Sequence, residues 1–191
     1  MRAALLILLL PLSVFAQNQS APVDAACGPQ NVTFKAQQGA APLAPALPET
    51  GKALVYFIHD DGQYGDYQHF TLKIGLDGAW VGAYKNNSVF TVSVLPGEHH
   101  LCANVQSSFD PGLIFSFAHF TAEAGKVYYY EASTTVTRSG GGMVTMTGAG
   151  GTSTGMAAGS VNKFFQFTQL SEDEGRYRIK AWKLATWKTN K

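Results

Sequence analysis

Five histidines and two short acidic runs are the residues of this 191-residue chain whose types could do chemistry. His59 stands beside Asp60 and Asp61, and Glu98 precedes His99 and His100. A transition metal needs imidazoles that converge, but neighbours on an extended strand point to opposite faces, so His99 and His100 do not readily share an ion. No H-x-x-E-H, HExxH or paired C-x-x-C spacing occurs. The run from His59 to Asp66 offers oxygens to a hard cation such as Ca²⁺, without the EF-hand spacing, and Asp and Gly are equally what a plain turn requires. Gly151-Thr152-Ser153-Thr154-Gly155 matches the G-x-S-x-G nucleophile pattern. That pattern works only where a strand runs through a sharp turn into a helix, and here it lies in a Gly-rich segment. His59, Asp60, Asp61 and His99 therefore stand as candidate binding residues, and no catalytic residue, metal ligand or cofactor is assigned.

Compartment and charge narrow the field further. Met1-Arg2, the apolar stretch from Ala3 to Val14 and the small-residue site at Ala16 read as a signal peptide over residues 1–16, cleaved before Gln17. The stretch is shorter than the roughly 20 residues of a membrane-spanning helix, and Pro11 interrupts it. The mature chain is expected to be secreted or periplasmic, with no transmembrane segment. Arg2 leaves with the signal, so 13 of the 14 Lys and Arg remain against 13 Asp and Glu. Such a balance argues against nucleic acid as a partner. Arg176, Arg178, Lys180, Lys183, Lys188 and Lys191 gather near the end and read as a solvated helix face followed by a frayed tail. Two cysteines in an oxidising compartment predict one disulfide, Cys27 to Cys102. The competing role for Cys27, the lipidated first residue of a lipoprotein, meets Asp24-Ala25-Ala26, which lacks the expected Leu.

The elements that would position these residues are mostly strands. Residues 17–50, rich in Ala, Pro and Gln, read as an extended arm. Residues 51–191 read as one domain of short apolar or alternating runs: 53–58, 68–76, 79–85, 88–94, 99–105, 113–121, 126–137 and 163–170. Asp77-Gly78 can supply the positive φ angles of a type I′ hairpin, and Pro96-Gly97 fits a second tight turn. These four are expected to be structural. Residues 139–160 hold 8 glycines, 3 of the 4 methionines and no charge, and read as a long loop or irregular hairpin. Ser171 with Glu174 forms a capping box, which predicts a helix through about Leu184. The class is mainly β: a single antiparallel β-sandwich, Ig-like or prealbumin-like, with a short C-terminal helix.

Gly51-Lys52-Ala53-Leu54-Val55-Tyr56-Phe57, Asp77-Gly78-Ala79-Trp80-Val81-Gly82, Leu95-Pro96-Gly97-Glu98-His99 and Ala124-Gly125-Lys126-Val127-Tyr128-Tyr129-Tyr130 occur in that order. In order and spacing they resemble the DUF2846 family of bacterial envelope proteins, and more distantly the PEGA-type small sandwich. The resemblance covers about residues 51 to 137. It implies the fold and the compartment, and it carries no catalytic residue onto this chain. The function expected is that of a non-enzymatic exported module contacting an envelope protein or cell-surface component. The alternative is a hydrolase or metal-dependent enzyme built on His59, Asp60 and Asp61.

Overall fold

The computed structural model describes residues 25–42, 45–60, 71–85, 87–106, 115–139, 142–148, 151–157 and 160–190. Asp61 and the expected signal segment 1–16 lie outside the described residues. In chain order the strands are β1 (Thr33–Pro42), β2 (Ala53–Asp60), β3 (Thr71–Leu76), β4 (Ala79–Tyr84), β5 (Ser88–Val94), β6 (Gly97–Gln106), β7 (Phe115–Ala122), β8 (Val127–Ser139), β9 (Gly142–Gly148), β10 (Gly151–Ala157), β11 (Ser160–Gln169) and β12 (Lys183–Asn190), with helix α1 (Glu172–Ala181) before the last. A six-stranded sheet, β1-β12-β5-β2-β8-β11, packs face to face on a four-stranded sheet, β4-β3-β6-β7. The fold is the expected β-sandwich, and most of its pairings are antiparallel. Two are parallel: β2 with β8, and two residues of β12 with β5.

Period-2 alternation builds the core. From β2, Ala53, Val55 and Phe57 face the second sheet, where Leu72, Ile74, Tyr84 and Leu101 meet them. Leu54, Tyr56 and Ile58 turn the other way, onto Tyr129 of β8 and Ile179 of α1. The centre of β2 is thus buried on both faces, and the molecule has three layers: helix, sheet, sheet. Among the described residues no helix is long and apolar enough to cross a membrane.

The Ser171 side chain accepts from the Glu174 backbone N–H and caps α1, as the sequence predicts. Gly175, a poor residue for a helix interior, has a packing reason here: a Cβ at that position would lie 2.2 Å from the Tyr129 ring. Its bareness lets α1 lie flat on the sheet.

Three expectations need correction. The helix stops at Ala181 instead of about Leu184, and Lys183–Asn190 is a strand, not a frayed tail. The reason is burial: in β12, Ala185 enters the inter-sheet core and the Trp187 ring packs 4.9 Å from that of Phe90. The arm is not simply an extended tether, because Thr33–Pro42 pairs antiparallel with β12 as the sheet's outermost strand. The segment 139–160 carries a regular ribbon, β9 with β10, in register from Gly142↔Ala157 to Gly148↔Gly151. Ser153 therefore sits within a strand opposite Met146, away from any strand-to-helix elbow.

The two structural turns prove to be of different kinds. Asp77 and Gly78 have φ of 49° and 80°, as a type I′ turn demands, and connect β3 to β4 within one sheet. Gly78→Ala is expected to lower stability by about 1 kcal/mol, read from equilibrium denaturant unfolding, because a Cβ disfavours that φ. Leu95-Pro96 links β5 of one sheet to β6 of the other, so Pro96-Gly97 is an arch across the sandwich and not a hairpin.

Candidate functional site

β2 divides the histidine–aspartate pair read from the sequence. His59 is 2% exposed and faces the sandwich interior, its ring 5.1 Å from that of Tyr84. Asp60 faces the helix side and bonds to the Arg178 guanidinium. Strand alternation accounts for the split, and the two side chains do not converge on a common site.

Arg178 is a residue that sequence reasoning missed. Its Nη1 also donates to Glu131 at 2.9 Å, and its Nε to Glu174 at 2.7 Å. One guanidinium thus joins β2, β8 and its own helix. Glu131 is buried, and desolvation pushes its carboxyl above the usual range; Asp60 and Glu174 add to that while Arg178 opposes it. The single cation offsets part of the negative charge that three acids bring to the helix–sheet seam. It was hidden in the sequence because Arg178 lies 118 residues from Asp60 and 47 from Glu131.

His99, the fourth candidate, bridges the two turns. Its Nδ1 is 2.6 Å from Asp77 Oδ2 and its Nε2 is 2.7 Å from the Leu95 carbonyl oxygen, while its ring packs on Phe120. Both partners are acceptors, an arrangement that favours the imidazolium, whose two ring nitrogens can both donate. Burial works against that charge, but the bonds to Leu95 and Asp77 outweigh it and raise the pKa above the ordinary histidine value. Asp77 is therefore more than a turn residue: it ties the β3–β4 hairpin to the arch between sheets.

The His99 contribution to stability is fully present below the unfolded pKa of about 6.5 and is lost as pH rises through the higher folded value. Unfolding titrations of His99→Gln are expected to show a deficit of about 2 kcal/mol at pH 6 that shrinks toward pH 9. A deficit that grew with pH would rule out the imidazolium.

His100 and His119 face each other across β6 and β7 and are both exposed. With Ala25, Ala26 and Phe117 they line a concavity of ≈ 280 Å³ on the outer face of the four-stranded sheet. Ala25 and Ala26 are held there by the Cys27–Cys102 disulfide, whose Cα atoms lie 5.3 Å apart. Among the described residues no group of three His, Cys, Asp or Glu is arranged to hold a metal ion. No protein-family model, curated protein or solved structure matches the chain.

Proposed function

We propose that this chain is an exported, non-enzymatic β-sandwich module of the DUF2846 type, which works by contact with an envelope protein or cell-surface component. The signal-like residues 1–16 would be removed after Ala16, and a disulfide suits an oxidising compartment. The candidates for chemistry support contact over catalysis, because Asp60 and His99 are engaged in holding elements together.

The observation that carries the reading is the β9–β10 ribbon. Among the described residues it is a sheet of two strands, seven residue pairs long, and its sequence has no charge. A two-stranded ribbon is at best marginally stable by itself, and charges are what ordinarily protect an open strand edge from pairing. A partner strand added to either edge would extend the ribbon into a larger sheet. The test is photo-crosslinking in the native envelope from position 147 in the ribbon, with position 126 on the sandwich body as control. One discrete cross-linked species from 147 alone, abolished when 142–157 is replaced by an Asn-Gly turn that leaves the melting temperature unchanged, is expected. Equal capture from 126, or capture that survives the replacement, would overturn the reading.

A further inference from the structure

We propose that His100 and His119 are a metal-binding site for a first-row divalent cation with affinity for nitrogen ligands, such as Zn²⁺ or Cu²⁺. Three observations place the two imidazoles together. Residue 100 is directly opposite residue 119 in the β6–β7 register, so both side chains leave the same face of the sheet. Both residues are exposed, and both border the same concavity.

The third observation is the backbone bonding of His100, which is spent entirely on the opposite neighbour. Its N–H donates to Asp77 Oδ1 at 2.8 Å, and its carbonyl accepts from the Asp77 N–H at 3.0 Å. In an antiparallel ladder a residue turns its N–H and C=O to the same side. Toward β7, then, His100↔His119 is a non-hydrogen-bonded pair, the kind in which Cα atoms approach to about 4.5 Å and side chains come closest. Two imidazoles on such a pair can bind one ion from either side. On the β3 side the Asp77 carboxylate stands in for a ladder carbonyl.

The donor set selects the cation. Imidazole nitrogens suit Zn²⁺, Cu²⁺ and Ni²⁺, whereas Ca²⁺ and Mg²⁺ require oxygens. Glu98, two residues before His100 and exposed, adds negative charge on the same face. The pair supplies two ligands and leaves the remaining positions to water or to a ligand from another molecule. Because β7 is the outer strand of its sheet, an ion held between it and β6 would also fasten that edge. The bland alternative is a pair of solvated surface histidines that bind nothing, and the two readings differ in measurable ways.

The experiment is calorimetric titration of Zn²⁺ into the oxidised chain at pH 7.5, with Ca²⁺ as comparator. Saturable binding of one Zn²⁺ is expected, with a rise in melting temperature by linkage and no response to Ca²⁺. His100→Gln and His119→Gln should each abolish saturable binding, while His69→Gln, which removes one histidine from elsewhere in the chain, should leave it intact. Because either substitution could disturb the strand pair, a second measurement uses the unaltered protein: Zn²⁺ should protect His100 and His119 together from diethylpyrocarbonate. Absence of saturable Zn²⁺ binding, binding that persists in either variant, or protection of only one of the two histidines would overturn the proposal.

Discussion

Replacing Cys27 and Cys102 together by Ala is expected to be the most damaging change in the molecule, costing about 4 kcal/mol. The bond closes a loop over a sequence separation of 75 residues, and the chain-entropy model assigns a crosslink of that span about 4 kcal/mol of unfolded-state restriction. Cys102 lies on β6, and Ala26, Cys27, Trp80 and Phe115 pack around it. Losing the bond therefore also frees the chain before β1 from the sheet it covers. For a domain of this size, that should appear in a calorimetric scan as a fall of about 8 to 16 °C in melting temperature. If oxidised and Ala-substituted chains melted within about 2 °C of each other, the β1–β12 ladder and not the disulfide would be what holds the arm.

Arg178→Met should cost about 3 kcal/mol, less than the disulfide but far more than an ordinary surface ion pair. Glu131 would be left buried without its counter-ion beside Asp60 and Glu174, and removing one partner of a buried pair typically costs about 3 to 5 kcal/mol. Arg178 retains 26% side-chain exposure, which places the effect at the lower end of that range. Arg176 supplies the control two residues away. Its pair with Glu172 is 63% exposed on both sides, so Arg176→Met should leave the unfolding midpoint nearly unchanged. Adding Glu131→Gln to Arg178→Met should recover part of the loss, since the buried charge is then gone. Equal effects at positions 176 and 178 by denaturant titration would show that the seam is solvated and that the buried acid is not what matters.

Features whose cause is local are legible in the residues themselves. Alternation marked the core strands because it reflects which side chains must leave water, and Asp77-Gly78 marked its turn because a type I′ backbone accepts few residues. Ser171 with Glu174 marked the helix start for the same kind of reason, a backbone donor that needs an acceptor. The disulfide was legible from a count of two.

Of the candidate sites the sequence revealed little more than the residue types. His59 and Asp60 were adjacent in sequence yet were sent to opposite faces of β2, and His99 and His100 likewise diverged. The partner that His100 acquired is His119, and nothing near either residue announces the register that joins them. Arg178 looked like one base among six because the acids that claim it come from β2 and β8. Local signals end the helix near Leu184 and leave a frayed tail, whereas Ala185 and Trp187 find the core and make Lys183–Asn190 a strand, and Pro96-Gly97 reads as a tight turn although the strands on either side belong to different sheets. Local chemistry selects turns and caps, whereas strand pairing and layer packing are decided between residues dozens of positions apart, so only the tertiary structure could bring these side chains together.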